Sequence, residues 1–383
     1  MKLLDRYVIR NFVEPFMICF SGFIAIWLII DLNDNHQDFL DAHASLRQVT
    51  GFYLTQLPST VLFSVPVGLL LALLASLSSM SRRNEIISML TAGRSVIRVL
   101  APLLCIGVLT AGGSLWLNWE LAPHAEGIKK GAIKKIRRGI RADEVEPVSG
   151  HLFRDRLNDR TWFIRRFRPG QSQFDDVHIM QQSEDGKITR KWYAQHATYE
   201  ASTKTWVLEN GRIVEFDEMG GIESTDDFLG GVRRISDWTE TPWRVSSSQL
   251  DPQNLSIPEL QDYMRFNSDF PASQLAPYRT NLADRWALPI SCLIVVMVAA
   301  PLGIVYNRRG VLAGVSTGIA IFFAMMLTRY LFLALGKGNR INPTWGPWIP
   351  DIVFGLVGII LLWFRSTNRD LPSFSLSLFR KRK

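Results

Sequence analysis

The segment "VLFSVPVGLLLALLASLSSM" (61–80) runs straight into "SRRNEIISMLTAGRS" (81–95). The first stretch holds twenty residues and no charge. That is enough helix for the roughly 30 Å apolar core of a bilayer. The second carries Arg82, Arg83 and Arg94 around a single acid, Glu85, and reads as a short amphipathic helix with basic flanks. Another apolar run opens at Val96. A polar helix between two spans is either a connector or a handle for something outside the membrane, and the rest of the chain has to decide.

The chain has 383 residues, 47% hydrophobic and 20% charged, with mean hydropathy +0.08. The average conceals segregation: apolar residues crowd the first third and the last quarter, and the middle is polar. The net charge of +8 comes from basic residues beside apolar runs, which favours lipid headgroups and topology over nucleic acid. No zinc spacing or Arg-rich aromatic module is present, so no nucleic-acid partner is expected. Cys19, Cys105 and Cys292 each lie in an apolar run and the polar middle has none, so they read as small core residues and not as a disulfide framework. The run after "MKLLDRYVIRNFVEP" lacks a small-residue cleavage site and is expected to stay as an anchor.

Six spans are expected: 12–30, one within 57–80, 96–118, 286–306, 311–335 and 347–364. Lys2, Arg6 and Arg10, then Arg82, Arg83, Arg94 and Arg98, then Arg308 and Arg309, then the tail from Arg365 to Lys383, all fall on one side of such a chain. That side is cytoplasmic by the positive-inside bias. Both termini are then inside, and the acidic loop "DLNDNHQDFLDAH" (31–43) is outside. The opening "MKLLDRYVIRN" has its basic residues at i, i+4 and i+8 and reads as an interfacial helix on the inner leaflet.

The middle, 120–283, is too long for an unstructured loop and lies outside. "TWFIRRF", "VHIMQQS", "ITRKWYAQHATYE", "TWVLEN" and "RIVEF" are aromatic, β-branched and partly alternating. Turn residues separate them: "RPG" (168–170), "EDG" (184–186), "ENG" (209–211) and "EMGG" (218–221). Asp185-Gly186 and Asn210-Gly211 read as hairpin turns. An all-β sandwich, jelly roll or open barrel follows. A helical arm is expected at each end, over 120–138 and over "SIPELQDYMRF" (256–266), which opens with the Ser and Pro of a helix start.

No P-loop, nucleophile elbow, H-E-x-x-H or C-x-x-C motif occurs, and the six histidines show no ligand spacing. Covalent chemistry in this chain is not expected, so any transport draws on another subunit or a gradient. A gradient-driven carrier places ionisable residues deep in several spans and often has inverted repeats. Here Glu14, Asp31 and Asp351 sit near span ends, and Arg329 is the charge clearly inside a span. Arg329 either snorkels outward or faces a cavity that admits an anionic headgroup.

In order along the chain, "NEIISMLTAGRS" (84–95), "AQHATYEASTKTWVLENGRIVEF" (194–216), "LSIPEL" (255–260) and "RWALPISCLIVVMVAAPLGIVYNRRG" (285–310) resemble motifs of the lipopolysaccharide-export permeases, the LptF/LptG family. The resemblance covers nearly the whole chain. It implies an α-helical membrane protein with six transmembrane helices and a periplasmic all-β jellyroll-like domain inserted between helices 3 and 4. The expected parts are 1–119 with a cytoplasmic coupling helix at 81–93, the β domain with helical arms at 120–283, the last three spans at 284–366, and a basic tail at 367–383. In that family two permease chains form an inner-membrane cavity above a dimer of the ATPase LptB. ATP-Mg belongs to the ATPase, and no cofactor is expected in this chain. Lipopolysaccharide passes from the outer leaflet of that membrane to LptC/LptA-like periplasmic jellyroll proteins. Burying one CH₂ is worth roughly 0.8 kcal/mol. Carrying a multi-acyl lipid bare through water would thus cost on the order of tens of kcal/mol.

By the same resemblance Glu85 matches the acid that meets the ATPase, with Arg82, Arg83, Ile86, Met89, Leu90 and Gly93 flanking or filling the contact. Phe23, Trp27, Asp31 and the stretch from Phe322 to Arg329 would line the cavity or lateral gate between spans one and five. The chain departs from one branch of the family, LptG, which has basic residues at the outer end of span one that meet lipid phosphates. The matching stretch here, "IIDLNDNHQDF" (29–39), is acidic. Two competing readings have the same architecture: a permease for another lipid or lipoprotein, and a non-transporting scaffold whose β-domain binds a periplasmic partner.

Overall fold

The computed structural model describes residues 3–41, 43–125, 148–168, 171–183, 185–247, 251–304 and 310–367. The first group of elements is α1 (Leu3–Asp41), α2 (Leu46–Arg82), the short α3 (Glu85–Thr91) and α4 (Val96–Trp119). Six strands follow: β1 (Val148–Asp155), β2 (Arg160–Phe167), β3 (Gln173–Gln182), β4 (Ile188–Glu200), β5 (Thr205–Phe216) and β6 (Ile222–Ile235). The chain returns through α5 (Pro242–Ser247), a single 3₁₀ turn and α6 (Ile257–Phe266) to α7 (Ala272–Gly303), α8 (Gly310–Lys337) and α9 (Trp348–Ser366). Among the described residues six helices, α1, α2, α4, α7, α8 and α9, are long and apolar enough to cross a membrane. The chain divides into two compact units: Met1–Lys130 with Ala276–Lys383, and Gly131–Leu275.

In the helical unit, α2 is the centre. Leu69, Leu73, Leu74 and Leu77 are buried in one core with Leu100 and Leu103 of α4 and Val295, Val296, Ala299 and Ala300 of α7. Gly68 lies against Phe16 and Phe20 of α1, and Gly318 of α8 lies against Leu74. Small residues at such contacts let apolar helices approach closely, which drives association where lipid is as apolar as the side chains. α2 therefore carries both α1 and α8. Between α4 and α7, Asn118 Nδ2 donates to the Arg285 carbonyl at 2.8 Å, and Arg285 Nη1 donates to Asn118 Oδ1 at 2.9 Å.

Two expectations change here. The interfacial helix, span one and the acidic loop as far as Asp41 are one uninterrupted helix, α1. Val8 and Phe12 are buried in the same core as α2, so the helix continues inward at the point where a surface helix would stop. Arg98 Nη2 donates to both carboxylate oxygens of Asp5 at 3.0 Å and fixes that end of α1 to α4. Pro15 costs one backbone hydrogen bond without breaking the helix. At the far end Phe39 packs against Phe52 of α2 at 5.5 Å between ring centroids, and Ser45 forms a capping box with Gln48 to start α2. α2, α4 and α8 hold the expected spans; α7 runs from Ala272, well before residue 284, and ends at Gly303, with 305–306 of the fourth span outside the described residues, and α9 begins at Trp348.

The β unit is an antiparallel sheet in the order β1-β2-β3-β4-β5-β6, each strand beside its sequence neighbour. The all-β expectation holds, with the described strands arranged as a meander in one sheet. Alternation puts Trp162, Ile164 and Phe167 of β2, Phe174, Val177 and Ile179 of β3, Trp192 of β4 and Trp206 and Leu208 of β5 into one core, closed by Trp238 and by Val245 of α5. The Asn210-Gly211 turn is overturned. β5 runs straight through it, pairing with β4 on one side and β6 on the other. Asn210 takes φ +53° and is absorbed as a bulge. Gly211 is required there: a Cβ would fall 1.9 Å from the Tyr193 carbonyl oxygen. Asp185-Gly186 does turn, with Gly186 N donating to Ser183 O at 2.8 Å. In the turn before β6, Asp217 Oδ1 accepts from Met219 N and Gly221 N. Ser256 caps α6 in a box with Glu259, as the Ser-Pro start predicts. Most of the 120–138 arm, residues 169–170 of the "RPG" turn, Arg308, Arg309 and the tail beyond Thr367 lie outside the described residues.

Candidate functional site

α3 is short but firmly bounded. Asn84 turns the chain into it with φ +59°. At its other end Gly93, with φ +82°, donates to Leu90 O at 3.0 Å, and Arg94 N donates to Met89 O at 3.2 Å. This paired 5→2 and 6→1 closure is the Schellman motif, which needs a left-handed residue where Gly93 stands. Ser95 then accepts from Arg98 N to start α4.

One face of α3 is fixed. Ile86 is 1% exposed in the core of the helical unit, with Met89 and Leu90 packed against it. Ile86 is therefore an anchor. Arg82, Arg83, Ser88, Thr91, Ala92 and Gly93 are exposed. Glu85 is half-buried; its Oε1 is 3.9 Å from Arg83 Nη1, and its Oε2 has no hydrogen-bond partner. That oxygen is itself buried, so only the Oε1 side of the carboxylate, beside exposed Arg83, faces outward.

The cavity candidates are distributed over two helices. On α1, Phe23 is half-buried, Trp27 meets Tyr53 of α2 edge-on at 6.1 Å, and Asp31 is buried and accepts from Asn35 Nδ2 at 3.1 Å. On α8, Phe322 is inside the core and Phe323 is the open aromatic. Arg329 turns into the helical unit. It is 4% exposed, paired with Asp284 of α7, and its Nη1 is 3.8 Å from Asp351 Oδ1 of α9. A buried guanidinium needs counter-charge, and these two carboxylates supply it. Asp284 was missed because nothing in the sequence links it to a residue 45 positions away; the signal available was the unexplained charge of Arg329 itself.

In the β unit, Arg160 Nε donates to Glu240 Oε1 at 2.8 Å and its Nη2 to Oε2 at 3.1 Å. Trp162 Nε1 adds a third donor at 3.3 Å. Burial nonetheless holds the Glu240 carboxyl above the usual carboxylate range, against the pull of Arg160. The opposite face of the sheet has a depression of about 530 Å³, lined in part by Arg165, Arg166, Asp175, His196 and Arg212.

Six crossing helices with an antiparallel β domain between the third and fourth match the family resemblance in outline, and the family model for the lipopolysaccharide export system permease LptF/LptG matches residues 6–364. The chain belongs to that family. It is also 21% identical, over 380 residues, to the lipopolysaccharide export system permease protein LptG of Haemophilus influenzae, covering 96% of this chain and 99% of the relative. As an LptF/LptG permease it is a multi-pass protein of the inner membrane and a transport subunit. In this permease "NEIISMLTAGRS" has a local physical reading: Ile86 anchors α3, and Asn84 and Gly93 bound it.

Proposed function

We propose that this permease extracts lipopolysaccharide from the inner membrane and passes it to a periplasmic bridge of LptC/LptA-like jellyroll proteins, driven by ATP-Mg hydrolysed in a separate LptB-like dimer. Both termini and α3 are cytoplasmic, and the β domain is periplasmic. A second permease of the same family completes the cavity. α1 and α8, which both rest on α2, flank the opening through which the lipid enters. β1 and β6 are the ends of the meander, and one of these edges pairs with the next jellyroll, since open strand edges recruit strands.

The observation that carries this reading is α3: a helix bolted to the membrane core through Ile86 that offers an exposed polar surface beside the half-buried Glu85. A force applied there reaches the core. Glu85→Ala is expected to leave the permease inserted while ATP hydrolysis no longer releases lipid. Co-purification of the ATPase and a release assay from liposomes check it; release at the wild-type rate refutes the coupling role. Mass spectrometry of co-purified lipid tests the substrate, and a different bound lipid class would replace lipopolysaccharide in the assignment.

A further inference from the structure

The end of α7 is held in an unusual way. The last carbonyls of a helix have no donors within it, and three at this end are taken by side chains from other helices. Arg365, in the last turn of α9, donates from Nε to Pro301 O at 3.1 Å and from Nη2 to Ile304 O. Ser81, in the last turn of α2, donates to Gly303 O at 3.4 Å. Arg365 and Ser81 are 6% and 5% exposed. Gly303 backs directly onto α2: a Cβ there would lie 2.8 Å from Leu77 Cβ. Leu77, Ile86 of α3 and Ile304 belong to one core.

A cation in the last turn of a span ordinarily extends toward headgroups and water. Arg365 turns inward and buries its charge, which costs free energy unless fixed partial charges replace the lost solvation. The negative end of the α7 dipole supplies them. The node therefore joins the base of α3, through Ser81 and Leu77, to the ends of α7 and α9. Beyond this node, α7 and α9 also meet through Asp284, Arg329 and Asp351.

We propose that Arg365 is a positioning residue in the transport cycle: by holding the Pro301 and Ile304 carbonyls it makes α9 follow α7 when α3 is displaced. This rests on the reading that the ATPase acts at α3. A bare C-cap would only stabilise the fold, so the test must separate the two roles.

The complex co-purified from its own host membranes is reconstituted with lipopolysaccharide, and ATP hydrolysis and lipid release to a soluble acceptor are measured together for wild type, Arg365→Gln, Arg365→Lys and Glu85→Ala. For Arg365→Gln, lipid released per ATP is expected to fall about tenfold, within the usual range of coupling between separate sites, while hydrolysis persists. Arg365→Lys should recover part of the loss, because an ammonium keeps the charge without the two-pronged geometry. A parallel fall of both rates, or an unchanged ratio of release to hydrolysis, overturns the proposal. If Arg365→Gln does not assemble, the ratio in Arg365→Lys is read in its place, a lowered ratio supporting and a wild-type ratio overturning it. Glu85→Ala tells the two ideas apart. Wild-type coupling in that variant refutes the reading of α3 itself. Uncoupling there with a wild-type ratio in the Arg365 variants refutes only the role of Arg365.

Discussion

At the scale of single residues, charge inside the membrane unit is the dominant constraint. Arg329 is balanced by Asp284 and Asp351 on two neighbouring helices. Arg329→Met would leave two carboxylates facing each other; removing one partner of a buried pair costs about 3–5 kcal/mol. The expected result is a lower melting midpoint and loss of monodisperse protein in detergent. The triple variant Arg329→Met, Asp284→Asn, Asp351→Asn removes all the charge and should regain most of the stability. In the β unit, Glu240 binds its proton more tightly folded than unfolded. Its contribution is present below the ordinary value of 4.5 and is lost as pH rises through the higher folded value. Tryptophan fluorescence of the Trp162, Trp206 and Trp238 cluster during unfolding should therefore show stability falling over that window, and Glu240→Gln should remove the slope.

At the scale of elements, the bulge in β5 gives the sharpest contrast. Gly211→Ala forces a Cβ into the Tyr193 carbonyl and should cost about 3 kcal/mol or more. Asn210→Gly suits the left-handed backbone and should cost about 1 kcal/mol, for the hydrogen bond that Asn210 Oδ1 accepts from Gly230 N. Limited proteolysis of the two variants checks the difference. The same bulge shows where the sequence misleads. "ENG" carries the residues of a hairpin turn, but β4 and β6 continue past it on both sides, and tertiary pairing absorbed the left-handed residue. β4 was legible because Trp192 and Ala194 alternate with polar neighbours. β1 and β6 were not: β6, "IESTDDFLGGVRRI", lies almost wholly exposed and has no buried face to impose a period. The presence of α3 was legible but not its limits: the expected 81–93 shortens to Glu85–Thr91, because α2 runs on through Arg82 and Asn84, at φ +59°, turns the chain. The Arg329 pairing and the α7 node were not legible, because their members are distant in sequence and only packing brings them together.

At the scale of the whole molecule, the proposed orientation makes a direct prediction. With Cys19, Cys105 and Cys292 replaced, Lys187→Cys in the β domain should react with a membrane-impermeant thiol reagent added to intact spheroplasts. Ser88→Cys on α3 should react only after lysis. Labelling in the reverse pattern would invert the topology. The long helices carry a last consequence. At 1.5 Å per residue the 39 residues of α1 make a rod of about 58 Å, nearly twice the roughly 30 Å thickness of the bilayer core. The rod is tied to α4 near one tip by Asp5 and to α2 near the other by Phe39. Both tips are thus fastened to neighbouring helices. A change of bilayer thickness alone, which alters the preferred tilt of such a rod, would be felt at both water-facing ends of the permease at once.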